Sequence, residues 1–154
     1  KDQEWKVVAD IGVSQSEALY PLNSAFERSA TRTGGRFETA PSGIAESLDS
    51  RLAESVLKGN ELRSLIELGT GDIRIYRDNE RAVVGKSALA QLRSSKAKEI
   101  SYAVTTTGIA RSNDLAYSIG SYVAGSSKGY YLHLWKQVSR NNWKLAAEIR
   151  NLAT

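Results

Sequence analysis

Residues 113–152 read NDLAYSIGSYVAGSSKGYYLHLWKQVSRNNWKLAAEIRNL. Three runs rich in aromatic and aliphatic residues, at 113–122, 128–137 and 141–149, are separated by glycine-, serine- and asparagine-rich segments at 125–129 and 139–142. Glycine and asparagine tolerate positive φ, so such segments close tight connections between neighbouring strands. The stretch therefore predicts three consecutive antiparallel strands.

Upstream of this stretch, residues 44–58 are predicted to form a helix because apolar residues recur every four positions. The stripe consists of Ile44, Leu48, Leu52 and Val56. Gly59 is placed to end this helix, and Asn60 is placed to cap the start of a second helix that carries Leu65. The spacing thus predicts two successive helices.

The middle of the chain alternates in the manner of strands. Residues 72–77 predict a strand, 81–84 a short return strand, 85–92 a third helix and 97–110 a long strand. The order of elements predicts an α+β fold with helices on one face of an antiparallel sheet. The residues expected in the shared core are Leu48, Leu52, Leu65, Ile75, Leu89, Val104, Trp135, Leu145 and Ile149.

The segments DLAY, GYYLHLWK and NWKLAAEI, taken in this order within residues 114–149, resemble the C-terminal sheet of a known superfamily. It is the nuclear transport factor 2-like superfamily, in its SnoaL-like branch, with relatives among ketosteroid isomerases and the association hub of calmodulin-dependent kinase. The resemblance covers roughly residues 44–152. It implies a curved antiparallel sheet that wraps a cone-shaped cavity against its helices.

The N-terminal part is predicted to be an arm (residues 1–12), then a linker with a short helix (13–43), before the domain at 44–154. The arm sequence WKVVADI at 5–11 echoes WKLAAEI at 143–149. Two explanations are open: chance reuse of strand residues, or the last strand of a preceding copy of the same domain. A strand-like arm needs a partner, which is either an edge of its own domain's sheet or the same segment or sheet edge in a second copy; we expect the second copy. The chain has no methionine, so we expect it to be an excised or processed piece, without a visible export signal.

His133 is the only histidine, and hence the only side chain whose usual pKa lies near neutrality. By resemblance to the kinase hub, its position two residues before Trp135 points into the cavity. The alternative is a buried histidine satisfied by a neighbouring hydroxyl group. The tyrosines expected to line the same cavity are Tyr76, Tyr102, Tyr117 and Tyr131.

The carboxylates give no match to the aspartate base and acidic oxyanion donor that the resemblance to isomerases would require. Glu148 is expected to face solvent, because alternation places it opposite Trp143. With one histidine and no cysteine, neither a metal site nor any cofactor is expected. No serine is placed beside His133 with an acid, so a catalytic triad has no support.

These patterns lead to two hypotheses of function. The first is a SnoaL-like domain whose cavity binds a small, partly apolar molecule; turnover would require an acid/base pair, for which His133 with a tyrosine is the candidate. The second is a protein–protein assembly or dimerisation module. A homodimer is expected, and nucleic acid and membrane partners are not: the basic residues around 81–98 lack interleaved aromatics, and no apolar run reaches the length of a membrane span. The sequence names no compartment.

Overall fold

The computed structural model describes residues 10–14, 40–92 and 99–153. In this part of the chain, two α-helices are followed by six strands, with one 3-10 helix between the second and third strands. The elements are α1 (Ile44–Lys58), α2 (Glu61–Leu68), β1 (Gly69–Arg77), β2 (Val83–Val84), the 3-10 helix (Lys86–Gln91), β3 (Ile100–Ile109), β4 (Leu115–Ala124), β5 (Ser127–Ser139) and β6 (Asn142–Leu152).

The six strands form one sheet in the order β2-β1-β6-β5-β4-β3. The helices pack against this sheet, and α1 lies mainly against β3 and β4. The predicted α+β class is confirmed, with one difference in pairing: β1 runs parallel to β6, so the sheet is mixed. Parallel neighbours need a long connection, and here most of the domain lies between β1 and β6, which is why local patterns did not indicate this pair.

Local signals at the turns and helix ends are confirmed. The Asn60 side-chain oxygen accepts a hydrogen bond from the Arg63 backbone N–H at 2.8 Å, which caps α2. Gly125 has φ 61° in the connection between β4 and β5, and Asn141 has φ 54° between β5 and β6. The third predicted helix is shorter and tighter than expected, because it is a 3-10 helix; its Leu89 is fully buried as predicted.

The core between the helices and the sheet contains seven of the nine residues expected there. They are Leu48, Leu52, Leu65, Ile75, Leu89, Trp135 and Leu145. The other two, Val104 and Ile149, are half-buried, so the prediction for them was wrong. Val104 lies on β3, one of the two edge strands, which has a neighbour on one side only.

A β-bulge in β6 explains the exposure of Ile149. Leu134 pairs with Ala147 while the next residue, Trp135, pairs with Leu145, so Ala146 is an extra residue in β6. An extra residue reverses which side chains face the helices. Before the bulge Leu145 faces inward, and after it Ile149 faces the other side of the sheet.

The predicted arm falls mostly outside the described residues, since positions 1–9 are not described, and neither is most of the predicted linker. Residues 10–14 are described and have no regular secondary structure. Ser14 binds the turn after β1: its carbonyl accepts from the Asn79 backbone N–H at 2.8 Å, and its own N–H donates to the Asp78 carboxylate at 2.5 Å. These two hydrogen bonds join Ser14 to the turn after β1.

The packing of α1 predicts a large cost for truncating its central leucine. Leu52 is fully buried, so Leu52→Ala should lower the free energy of unfolding by about 2–5 kcal/mol. The matched control is Leu57→Ala on the same helix, where the side chain is 65% exposed; its effect should stay within about 0.5 kcal/mol. Equal effects in urea unfolding would show that α1 is not packed on the sheet.

Candidate functional site

Three polar or aromatic side chains of β5 project from the sheet toward α1. Tyr131, His133 and Trp135 share the inner face of β5 by alternation, and all three are fully buried. The alternation had predicted this common face. It places a titratable imidazole in the interior of the domain.

Asp49 of α1 receives hydrogen bonds from all three of these side chains. Its carboxylate accepts from the Tyr131 hydroxyl at 2.7 Å and from the Trp135 indole N–H at 3.0 Å, and it lies 2.8 Å from His133 Nδ1. Asp49 is only 1% exposed and was not identified from the sequence. A signal was present: Asp49 falls within the apolar stripe of α1, four residues after the buried Ala45, where an unpaired carboxylate would be costly.

On the opposite side of the imidazole lies a second buried carboxylate. His133 Nε2 and Glu148 Oε2 are 3.4 Å apart, and both side chains have no exposed surface. The expectation that Glu148 faces solvent was wrong. It assumed uninterrupted alternation along β6, whereas the bulge at Ala146 turns Glu148 to the inner face.

Two arginines and a further glutamate complete the buried group. Glu148 Oε1 accepts from Arg77 Nε at 2.8 Å and lies 3.1 Å from Arg150 Nε. The Glu61 carboxylate, at the start of α2, accepts a hydrogen bond from Arg77 Nη2 at 2.7 Å and also forms an ion pair with Arg150. We call Asp49, Glu61, Arg77, His133, Glu148 and Arg150 the buried ionic network.

The network balances its charges when His133 is protonated, with three carboxylates against three cations. Burial alone would lower the pKa of the His133 imidazole, but hydrogen bonding to Asp49 and Glu148, and their negative charges, raise it above its usual value. Burial alone would raise the pKa of the Glu148 carboxyl, but the charges of Arg150 and Arg77 hold it well below its usual range. For Asp49, burial is likewise outweighed by the hydrogen bond to His133 and by its charge, and the pKa is lowered.

A cavity of about 380 Å³ opens beside the outer end of the network. It lies between the β4–β5 connection, the ends of β1 and β6, and the start of α2. Its lining residues are Glu61, Arg77, Asp78, Glu80, Tyr122, Ala124, Gly125, Ser126, Ser127, Arg150 and Leu152. The Arg150 guanidinium carbon lies 5.1 Å from the centre of the Tyr122 ring, within the range of a cation–π contact.

Solved structures share this arrangement of helices and sheet. A ketosteroid isomerase-like protein from Erwinia carotovora atroseptica superposes with a TM-score of 0.57 at 15% identity, over 73% of this chain and 95% of that one. A nuclear transport factor 2-like protein of unknown function from Shewanella oneidensis gives 0.54 at 13% identity, over 69% and 94%. One with a cystatin-like fold from Novosphingobium aromaticivorans gives 0.51 at 12% identity, over 69% and 77%. The fold is nuclear transport factor 2-like. No protein-family model and no curated protein matches the sequence.

Within this nuclear transport factor 2-like fold, the five residues expected to line a cavity separate into two groups. His133, Tyr131 and Tyr102 lie together inside: the Tyr102 ring is 4.8 Å from that of Tyr131 and 4.9 Å from the imidazole. None of the three lines the open cavity. Tyr76 and Tyr117 lie on the outer face of the sheet, because the residues directly before and after each of them are buried on the inner face.

Two further observations bear on what the nuclear transport factor 2-like domain holds. No group of three or more potential metal ligands of the histidine, cysteine, aspartate or glutamate type is found within residues 10–14, 40–92 and 99–153. In the same residues, no helix is long and apolar enough to cross a membrane.

Burial of His133 between two carboxylates makes stability depend on pH. Because its folded-state pKa lies above the usual value of 6.5, the folded protein keeps a proton that the unfolded chain has already lost. This stabilisation is fully present below about pH 6.5 and disappears as the pH rises through the folded-state pKa, with a slope of at most about 1.4 kcal/mol per pH unit.

Urea unfolding of the wild type and of His133→Gln, measured from about pH 6 to pH 9, checks this expectation. The wild type should lose stability across the interval, and the variant should not show this loss. An identical slope in both proteins would assign it to another group.

Proposed function

We propose that this nuclear transport factor 2-like domain is a SnoaL-like binding domain whose cavity takes up a small, partly apolar molecule. The observation that carries the proposal is Arg150. It is 5% exposed, it lines the cavity, and its Nη1 has no hydrogen-bond partner among the described residues. The proposal concerns binding and assigns no reaction.

A guanidinium nitrogen without a hydrogen-bond partner supports binding of a molecule that supplies the acceptor. A buried donor left without a partner costs about 1–3 kcal/mol, more for a charged group. Arg150 Nη2 is already paired with Glu61. Nη1 is buried beneath the cavity surface, so a ligand oxygen would reach it only with a small shift of the Arg150 side chain. That contact would recover this free energy and would hold the ligand in one orientation.

The cavity walls suit a molecule that is apolar on one side and polar on the other. Tyr122, Ala124 and Leu152 provide apolar surface, and the volume of about 380 Å³ lies within the usual range for small-molecule sites. Its charged lining residues are three carboxylates and two arginines. An uncharged acceptor, such as a carbonyl group, adds no further negative charge to this set, whereas a carboxylate would.

In this proposal, the interior tyrosines and His133 stabilise the cavity wall indirectly, through Glu148. They lie behind Glu148, which contacts the arginines of the cavity wall. Their part is to fix Glu148 and the arginines rather than to contact the ligand, since fully buried groups are not accessible from the cavity.

Binding can be measured by NMR with two probes of the same ring size, cyclohexanone and cyclohexanecarboxylate. We expect cyclohexanone to shift amide signals of the β4–β5 connection and of the end of β6, and to bind more tightly than the carboxylate. Arg150→Gln should weaken ketone binding by about tenfold or more, which is about 1.4 kcal/mol.

Two control variants sharpen this experiment. Arg74→Gln removes the same charge from the other face of β1 and should leave binding unchanged. Ala124→Phe fills the cavity without removing an ion pair and should abolish binding. If neither probe shifts the signals of the lining residues, the proposed binding site is wrong.

The second candidate function, homodimerisation, is favoured by apolar rows on the outer face of the sheet, whose residues are buried or half-buried in the single chain. Tyr76, Ile149, Leu132 and Ile119 follow one another across four neighbouring strands, each paired in register with the next. A parallel row contains Ala147, Leu134 and Tyr117. The occupant we propose is a second copy of the chain, because a two-fold axis brings the same apolar rows together from both sides.

The oligomeric state tests this second proposal. Leu134→Lys places a charge at the centre of the outer face and should convert a dimer into a monomer in light scattering. Leu57→Lys, at an exposed site on α1, is the control and should not change the mass. A wild-type protein that is monomeric at high micromolar concentration would contradict the proposal.

A further inference from the structure

The buried ionic network is completely hydrogen-bonded at one end and loosely bonded at the other. At the inner end, the Asp49 carboxylate has three partners within 3.0 Å. Toward the cavity, His133 Nε2, Glu148 Oε2, and Arg150 Nε and Nη1 have no hydrogen-bond partner in the described part of the chain. These unsatisfied atoms are consecutive members of one chain of contacts, so the loosely bonded end is the one that can rearrange.

The proton on His133 decides whether two of these atoms attract or repel each other. The pKa of Asp49 is lowered, so its carboxylate is ionised at neutral pH and accepts from Nδ1–H. In the neutral imidazole, Nε2 then carries a lone pair that faces Glu148 Oε2. In the imidazolium ion, Nε2 carries a proton and lies 3.4 Å from the same oxygen, and the two groups attract each other although they form no hydrogen bond in this structure.

We propose that His133 is a positioning residue whose proton draws Glu148 toward the imidazole. This movement weakens the ion pair between Glu148 and Arg150 at the cavity wall. Glu148 has two sets of partners: Oε2 faces His133, and Oε1 faces Arg150 and Arg77. A carboxylate that is drawn toward the imidazolium lies farther from Arg150, so its electrostatic attraction to the guanidinium is weaker. The guanidinium is then available for an acceptor group in the cavity, so this inference rests on the proposed function.

The other titratable groups that face His133 keep the same protonation state near neutral pH. From β6 and α1, the carboxyl groups of Glu148 and Asp49 have lowered pKa values. From β3 and β5, burial raises the pKa values of the Tyr102 and Tyr131 hydroxyls.

The remaining charged members are Arg77 on β1, Arg150 on β6 and Glu61 on α2. Burial alone would lower the pKa of the Arg150 guanidinium, but the charges of Glu148 and Glu61 raise it. His133 is the side chain of the network whose usual pKa lies near neutrality, and it is the group that we expect to change charge between mildly acidic and mildly basic pH.

The sign of the effect follows from reciprocity. If the proton on His133 favours binding at Arg150, then binding must raise the pKa of His133 by an equal free energy. Ligand binding takes up a proton, and affinity falls as the pH rises through the pKa of His133. For one linked proton the fall is at most about tenfold per pH unit.

The first experiment needs no ligand and uses the single histidine of the chain as its own probe. The ¹³Cε1–¹H signal of His133 is titrated by NMR together with the ¹⁵Nε–H signal of Arg150, which is assigned by its loss in Arg150→Lys. We expect both signals to titrate with one midpoint. An Arg150 signal that stays constant while His133 titrates overturns the proposal.

Glu148→Gln provides the matched test of the connecting residue. It keeps an acceptor oxygen toward the arginines but removes the charge that responds to His133. In this variant the Arg150 signal should no longer follow the His133 titration, and the pKa of His133 should be lower than in the wild type. Continued tracking of the two signals would mean that the coupling does not pass through Glu148. If Glu148→Gln does not fold, the wild-type titration decides the proposal.

The second experiment measures proton uptake when cyclohexanone binds, by calorimetry in buffers of different ionisation enthalpy. Uptake near the pKa of His133, and its loss in His133→Gln, supports the proposal; zero uptake overturns it. The two proposals fail in different ways. Absence of binding contradicts the cavity as a binding site, while the ligand-free titration still decides the coupling between His133 and Arg150.

Discussion

The interaction on which the interior depends is the acceptance of three hydrogen bonds by the Asp49 carboxylate. A single side chain of α1 ties the helix to the inner face of β5 through Tyr131, His133 and Trp135. Loss of this acceptor would leave three buried donors unpaired, each at a cost of about 1–3 kcal/mol. The same contact fixes the imidazole, because Nδ1 is committed to Asp49 and only Nε2 is left to face the rest of the network.

The bulge at Ala146 is the second structural requirement. In the first half of β6 the inward-facing residues are Trp143 and Leu145. The bulge shifts this alternation by one residue, so that Glu148 and Arg150 face inward after it. Without it, the inner face would hold the opposite set of side chains, and the arginine at the cavity wall would point to the outer face. One extra residue thus separates an apolar core, built by the first half of β6, from a charged interior beside the cavity.

The candidate site could be predicted only in part from the sequence. Alternation along β5 was enough to place His133 beside Trp135 on one face. The ring of Tyr102 lies against His133 and Tyr131. The assignments of Tyr76 and Tyr117 to the same cavity do not agree with the faces on which these residues lie. Asp49 was missed because an aspartate within an apolar stripe shows its partners only when the facing strand is known.

Most of the helices and strands follow from local sequence patterns, because helix stripes, strand alternation and turn residues act over a few neighbouring positions. The helix from Ile44, the cap at Asn60 and the hairpins closed at Gly125 and Asn141 belong to this class. Local patterns do not predict the parallel pairing of β1 with β6, the bulge at Ala146 or the partners of the buried charges. These depend on contacts between residues far apart in the chain, and an ion inside a protein is tolerated only where such contacts compensate the loss of water.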